Sequence, residues 1–214
     1  MRMISPMKEW IQEPHEISND GMISADAISD LRTTDNCIST WYVGEKSEEE
    51  VKNGVLALTS GFRSLEDIKV AFLDDEKLIN AGLVINETDG DTKIKDYVKL
   101  HRDIAFLDSA KLQKLAKVVL ESVWEKNTQI IHKETITYWL LSALNEKKLG
   151  FEFLDKNLRQ GLAASINRMI KTKKINKEDI SDDVWKSIEQ QIVKNSRKTT
   201  CKFEGECERY KKVS

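Results

Sequence analysis

The chain has 214 residues, of which 40% are hydrophobic and 33% charged, with 34 Lys and Arg against 36 Asp and Glu. Two prolines and nine glycines exclude collagen-like and Pro/Gly-rich disordered proteins, and no apolar run approaches the roughly 20 residues that a membrane span requires. The beginning of the chain has no signal-peptide pattern, and the three cysteines form no disulfide framework. The composition therefore predicts a globular cytoplasmic protein without membrane association.

The charge is distributed unevenly along the chain. Residues 1–110 carry 12 Lys and Arg against 22 Asp and Glu, a net charge of −10, whereas residues 111–214 carry 22 against 14, a net charge of +8. An asymmetry of this size gives information about binding partners rather than about the fold. It indicates either an acidic half that binds a basic partner or two halves of opposite sign that pack on each other.

The first predicted elements belong to an irregular arm and an acidic α+β half. Residues 1–22 show little apolar periodicity and are assigned to the arm, and the acidic half follows over residues 23–107. A short helix is predicted after Ser24, which has the side chain of an N-cap residue. Residues 37–43 are rich in β-branched and aromatic residues, which predicts a strand.

A capping box marks the start of the next helix. The Ser47 hydroxyl can accept a hydrogen bond from the Glu50 amide while the Glu50 carboxylate reaches back to the Ser47 amide. The helix is predicted to end at Gly61, with this glycine in the left-handed conformation that commonly terminates helices.

Three further strands are predicted at residues 68–73, 83–85 and 98–106, the last from its alternation of apolar and polar side chains. Gly90 lies in a turn between the last two strands, where a positive φ is expected. The helix predicted over residues 74–81 is too short for a parallel crossover connection. The sequence therefore favours a small mixed or antiparallel sheet of about four short strands.

The second half of the chain has helical periodicity. Residues 108–196 predict about four helices with short loops, and Asp108, Asp155 and Ser181 stand in N-cap positions. Residues 197–214 are interpreted as a basic mobile tail. The fold class predicted from the whole sequence is α+β.

The motifs of several common enzymes are missing. The chain contains no G-x-G-x-x-G or phosphate loop for nucleotides, no G-x-S-x-G for a nucleophilic serine, and no H-E-x-x-H for zinc. These absences favour a protein without catalytic activity, and neither a cofactor nor a metal is predicted.

Four acidic residues give the strongest candidate for catalysis. Carboxylates that follow strand ends can bind Mg²⁺, as in metal-dependent nucleases and phosphohydrolases, and this remains an alternative function. Ordinary structural roles in helix capping and turns explain the same residues. The candidates are Asp74, Asp75, Asp89 and Asp91.

Two residues of the last predicted strand are unusual. Alternation places His101 on the face opposite Leu100 and Ile104, where exposure to solvent is expected. The same alternation directs Arg102 to the apolar face, so that Arg102 requires either a carboxylate partner or a position at the margin of the sheet.

Basic residues concentrate toward the end of the chain. Such a cluster can contact a phosphate backbone, which makes nucleic-acid binding through the helical half an alternative function. The residues selected for this role are Arg168, Lys171, Lys173, Lys174, Arg197 and Lys198.

The preferred interpretation is a non-enzymatic module that binds another protein with a basic surface. Inhibitors, immunity proteins, antitoxins and adaptor subunits of multi-component bacterial systems, defence systems included, are proteins of this kind. The acidic half would form the recognition face, with Glu45, Glu48 and Glu49 as the partner-binding residues at the start of the capped helix. Complementary charge contributes mainly to association rate and specificity.

Overall fold

The computed structural model describes residues 1–4, 23 and 25–203, except for the side chains of Asp26 and residues 196–203. The predicted α+β class is confirmed, with helices concentrated in the C-terminal half. Contacts divide the chain into two compact units, a sheet unit of residues 1–61 and 66–136 and a helical unit of residues 62–65 and 137–214. The boundaries that the sequence predicts for the arm, the acidic half, the helical half and the tail stay a prediction.

The strands are β1 (Arg2–Ile4), β2 (Ile38–Trp41), β3 (Ile68–Ala71), β4 (Val84–Glu87), β5 (His101–Ala105) and β6 (Thr128–Ile131). The α-helices are α1 (Ala25–Asp30), α2 (Glu48–Thr59), α3 (Asp75–Asn80), α4 (Ser109–Trp124), α5 (Lys133–Asn145), α6 (Lys156–Lys171) and α7 (Asp182–Phe203). Within the described residues, short 3₁₀ helices occupy Lys95–Leu100, Phe151–Phe153 and Lys177–Asp179. Among the residues that the structure describes, no helix has the length and apolar character needed to cross a membrane.

The first sheet is antiparallel with the strand order β1-β3-β6. All four residues of β3 are buried, as expected for a central strand. The sequence did not predict β1, which lies in the segment assigned to the irregular arm, or β6. Both strands are only three or four residues long, and such lengths are too short for a clear periodic signal.

The second sheet is antiparallel with the strand order β2-β5-β4. Ile38 and Ile85 both lie opposite Ile104, so these three side chains share the face of the sheet that packs on the core. The prediction of a strand over residues 98–106 was wrong at its beginning, because residues 95–100 form a 3₁₀ helix and the strand starts at His101.

One hydrophobic core in the sheet unit joins both sheets to helices. The apolar stripe of α4 supplies Leu115, Ala116 and Val119, which are almost fully buried against residues such as Ala71 and Ile104. Asp108 accepts a hydrogen bond from the Lys111 amide and caps α4, as the sequence predicts.

The capping box of α2 is confirmed, but the two glycine conformations predicted in this region were wrong. Gly61 does not have a positive φ, and α2 ends at Thr59 with its C-cap residue Ser60 in the right-handed helical region. Gly90 does not have a positive φ either, and it is required for a different reason, since a Cβ at this position would collide with the side chains of His101 and Trp41. Positive φ occurs instead at Gly44 and Gly82.

The helical unit contains α6, α7 and most of α5. Asp155 accepts a hydrogen bond from the Asn157 amide and caps α6, as predicted. The apolar stripe of α6 is buried, and the Thr137 and Ser165 hydroxyls are 3.0 Å apart among buried residues. α7 continues to Phe203, beyond the start of the predicted tail, while residues 204–214 lie outside the described residues.

Three helices end on a lysine in the left-handed conformation. Lys126, Lys147 and Lys173 follow α4, α5 and α6 with φ of 58°, 58° and 56°. After α6, the Lys173 amide donates to the Ile170 carbonyl and the Lys174 amide donates to the Met169 carbonyl. This is a Schellman motif, which usually has glycine at the left-handed position.

Lys173→Gly is therefore expected to raise the free energy of unfolding. Relief of the left-handed strain exceeds the entropy that glycine adds to the unfolded chain, for a gain of about 0.5 kcal/mol. Lys171→Gly, inside the last turn of α6, should lower the unfolding free energy by about 1 kcal/mol. Urea denaturation of both variants measures the difference, and a destabilised Lys173→Gly variant would contradict this account.

Candidate binding cavity

A cavity of about 350 Å³ opens in the sheet unit. Its apolar lining includes Ile85 and Ile104, on the core face of the second sheet. The rest of the lining comes from Met1, the end of β2, the segments that follow β2 and β3, α3, and Arg102 of β5. Its charged residues are Lys46, Asp74, Asp75, Glu76 and Arg102.

Arg102 is held on several sides. Its Nη1 donates to Asp75 Oδ2 at 2.8 Å, and its Nη2 is 3.3 Å from Glu87 Oε1. The guanidinium carbon lies 3.9 Å from the centre of the Tyr42 ring. The sequence left two alternatives for Arg102, a carboxylate partner or a position at the margin of the sheet, and its ion pairs with Asp75 and Glu87 correspond to the first.

Lys46 is also bound within the protein. Its Nζ donates to Asn127 Oδ1 at 3.2 Å and lies 5.4 Å from the centre of the Phe72 ring. Both cationic side chains of the cavity therefore already have a hydrogen-bond acceptor and an aromatic face.

The carboxylates of the cavity have unused acceptor capacity. Asp74 caps α3 with Oδ1 alone, which accepts from the amides of Glu76 and Lys77. Asp75 accepts from Arg102 with Oδ2 alone. Within the described part of the chain, the other oxygens of these residues and both oxygens of Glu76 accept no hydrogen bond.

Met1 belongs to the lining of the same cavity. Its α-amino group donates to the Trp41 carbonyl at 2.6 Å. Burial lowers the pKa of this amino group to about 5, against the opposing attraction of Asp75. The amine is therefore mostly neutral at pH 7 and does not balance the carboxylates.

An acidic edge, consisting of Glu45, Glu48 and Glu49, adjoins the cavity. All three residues are exposed, and Glu45 lies between two residues of the cavity lining, Gly44 and Lys46. Glu49 forms a partly exposed ion pair with Lys52 at 3.4 Å. The side chains of Glu45 and Glu48 are exposed to solvent.

The turn that carries the acidic edge is fixed by Glu50. Its Oε2 accepts from the Ser47 amide at 3.0 Å and from the Ser47 hydroxyl at 2.7 Å. The hydroxyl and amide of Ser47 hold the pKa of the Glu50 carboxyl below its ordinary value. Glu50 is therefore ionised at neutral pH and stabilises the turn rather than facing a partner.

The structure does not gather the four predicted catalytic carboxylates at one place. Asp74 and Asp75 line the cavity, whereas Asp89 forms an ion pair with Lys99 and Asp91 forms one with Lys93. Among the residues that the structure describes, no group of three or more His, Cys, Asp and Glu side chains is arranged to hold a metal ion.

The predicted exposure of His101 was wrong. The residue is only 7% exposed, and its Nδ1 lies 2.7 Å from the Thr88 hydroxyl, which donates to Asp103 Oδ2 at 2.9 Å. Its ring also contacts Trp41 edge to face, with the centres 5.0 Å apart. Strand alternation gave the correct face, but the turn containing Gly90 covers that face.

The residues proposed for nucleic-acid contact lie in the helical unit. Arg168 and Lys171 occupy the last turn of α6, and Lys173 and Lys174 follow it, all four exposed. Cations are favoured at this end of a helix for electrostatic reasons alone. The side chains of the remaining two, Arg197 and Lys198, lie outside the described set.

Comparisons with protein-family models, curated proteins and solved structures gave no match. The candidate function therefore comes from the cavity and the acidic edge.

Proposed function

We propose that the protein is a non-enzymatic module that binds a protein partner with a basic surface through the acidic edge and the adjoining cavity. The observation that carries this proposal is the state of the charged groups in the cavity. Asp74, Asp75 and Glu76 are exposed in its lining and, within the described part of the chain, keep carboxylate oxygens that accept no hydrogen bond, while Lys46 and Arg102 are each held by acceptors of the protein itself. A basic partner can use those oxygens.

The charge distribution supports the same proposal. The net charge of −10 over residues 1–110 produces a negative potential that attracts a basic surface before contact. Electrostatic attraction of this type raises association rates and discriminates against acidic partners. Inhibitors and adaptor subunits are classes of protein that use such recognition.

Reversing the charge of the acidic edge is expected to slow association. The triple variant Glu45→Lys, Glu48→Lys, Glu49→Lys should reduce kon by roughly tenfold or more at low ionic strength, with a smaller reduction in high salt. The partner is first identified by affinity purification from the native host with mass spectrometry. Surface plasmon resonance with the purified partner then measures kon and koff.

A matched control separates local charge from total charge. Asp35→Lys, Asp96→Lys, Glu121→Lys changes three exposed acidic residues of the sheet unit that lie outside the acidic edge and the cavity lining, with the same change in net charge. Equal slowing in both triple variants would argue against a localised recognition face. Thermal melts establish that both variants remain folded.

Binding to nucleic acid is the competing outcome. If the purified protein bound DNA or RNA tightly, and Lys171→Glu with Lys174→Glu abolished this binding, the proposed function would be wrong. Phosphate contacts release counterions, so such binding would also weaken steeply with salt.

A further inference from the structure

The strand β6 lies at the end of the first sheet, where it pairs with β3. The Phe72 amide donates to the Asn127 carbonyl at 2.9 Å and continues the register of this strand pair. Because hydrogen-bonded and non-hydrogen-bonded pairs alternate in an antiparallel ladder, Gln129 bonds to β3, whereas Thr128 and Ile130 direct their N–H and C=O groups away from it. Among the described residues, these outward groups have no hydrogen-bond partner.

The features that usually keep edge strands from pairing are missing from β6. Such features are charged side chains, proline and β-bulges. The strand has the sequence Thr-Gln-Ile-Ile, and its register with β3 is continuous. Gln129 is exposed, and Ile130 is 54% exposed although its branched apolar side chain favours a packed strand. The edge of β6 is therefore open to another strand.

The strand β4, at the end of the second sheet, differs in this respect. The Thr88 amide donates to the His101 carbonyl at 3.3 Å, so alternation directs the backbone groups of Ile85 and Glu87 away from β5. A strand added at this edge would have to accommodate the Glu87 carboxylate, which forms an ion pair with Arg102. A charge at this position protects the edge of β4.

The open edge of β6 is complementary to itself. When two copies of β6 lie antiparallel about a two-fold axis at Gln129, Thr128 of each copy is opposite Ile130 of the other. Opposite residues of this kind exchange both of their backbone hydrogen bonds, so all the outward N–H and C=O groups of the two strands are used. Ile130 then packs on the Thr128 methyl group, and the two Gln129 amides face each other as donor and acceptor. A shift by one residue would instead present the Gln129 backbone groups that β3 already uses.

We propose that two copies of this chain associate through β6, with the strands antiparallel and a two-fold axis at Gln129. A second copy is the occupant because one sequence supplies both halves of every pair in this register, which is the property of an isologous interface. The contact is at the small end of protein interfaces, so we expect a dissociation constant of about 100 μM. No residue of β6 belongs to the acidic edge or to the cavity lining, so this inference does not depend on the proposed function.

Sedimentation equilibrium of the full chain, from about 5 to about 500 μM, tests the association. Ile130→Pro removes an outward N–H but none that bonds to β3, and proline is tolerated at a sheet edge. It should weaken dimerisation by roughly tenfold or more while the circular dichroism spectrum stays unchanged. Ile130→Lys places a charge at the edge and should have the same effect. Ile79→Lys is the matched control, because Ile79 is 61% exposed on α3, and it should leave dimerisation unchanged.

Disulfide cross-linking tests the register. The three native cysteines are first replaced by serine, and copper phenanthroline serves as the oxidant of the two introduced thiols. Directly opposite residues of a non-hydrogen-bonded pair have Cα atoms about 4.5 Å apart, within the range that a disulfide spans. Gln129→Cys should therefore form a covalent dimer rapidly. Ile130→Cys should cross-link roughly tenfold more slowly or not at all, since its counterpart in the second copy is displaced by two residues.

The outcomes decide the inference. A monomer at all concentrations would overturn it, and so would a dimer that persists unchanged in both Ile130→Pro and Ile130→Lys. Equal cross-linking of Gln129→Cys and Ile130→Cys would overturn the two-fold axis at Gln129. If Ile130→Pro alters the circular dichroism spectrum, Ile130→Lys alone decides between the two results. A dimer that is lost in Ile130→Lys, retained in Ile79→Lys and trapped by Gln129→Cys supports the proposal.

Discussion

Replacing Gly44 with alanine is expected to lower the free energy of unfolding by about 1–3 kcal/mol, from left-handed backbone strain plus a weakened α2 capping box. Gly44 has a φ of +44°, and a Cβ at this position would lie 2.0 Å from Glu50 Oε1. The new methyl group must displace the Glu50 carboxylate, which weakens the hydrogen bonds that its Oε2 accepts from Ser47. Urea denaturation measures this effect.

The two causes can be separated with a control and a double variant. Gly82 also has a positive φ, of +76°, but a Cβ there meets only Lys114 Nζ at 3.8 Å. Gly82→Ala should therefore lower the free energy of unfolding by about 1 kcal/mol, from backbone strain alone. In a Glu50→Ala background, the cost of Gly44→Ala should fall to a similar value. A Gly44→Ala cost that is the same with and without Glu50 would contradict the proposed collision.

Gly90→Ala is expected to lower the free energy of unfolding by about 2–3 kcal/mol through overpacking. A Cβ on Gly90 would lie 2.6 Å from both His101 Cβ and Trp41 Cη2. Because Trp41 and His101 are opposite residues of β2 and β5, neither can move without disturbing the sheet. The turn would instead have to move away and expose His101.

Gly61→Ala provides the comparison. Gly61 likewise lacks a positive φ, and the nearest atom to its Cβ would be the Asp91 carbonyl oxygen at 3.5 Å, an ordinary contact. This substitution should be neutral or stabilising by up to about 1 kcal/mol, since alanine reduces the entropy of the unfolded chain. Similar losses in both variants, measured by thermal denaturation, would show that the contacts of Gly90 are not the cause.

The sequence predicted features that depend on neighbouring residues. The capping box of Ser47 and Glu50 and the N-caps Asp74, Asp108 and Asp155 each involve an amide two or three residues away, so their geometry is encoded locally. Helices with long apolar stripes were predicted for the same reason. The strands β1 and β6 were missed because short strands depend on distant partners for their hydrogen bonds.

The candidate site was only partly predictable. Alternation along β5 indicated that Arg102 needs either a carboxylate partner or a place at the margin of the sheet, but it could not specify Asp75 and Glu87, which lie on α3 and β4. The cavity combines side chains from separate segments, and nothing in the order of Lys46 and Phe72 along the chain indicates that they meet. His101 was misjudged because the period of a strand gives the direction of a side chain, not what covers it.

The pairing of the first sheet has a consequence for how the chain acquires its structure during synthesis. β3 forms hydrogen bonds with residues 2–4 on one side and residues 128–131 on the other. The first sheet therefore cannot be completed until the ribosome has released the whole of α4 and β6. Sheets that join such distant segments fold slowly, because the loops must close before the contacts form. Until then β3, whose four residues are all buried in the finished sheet, lacks its partner on the β6 side, and unpaired strand edges are prone to aggregation.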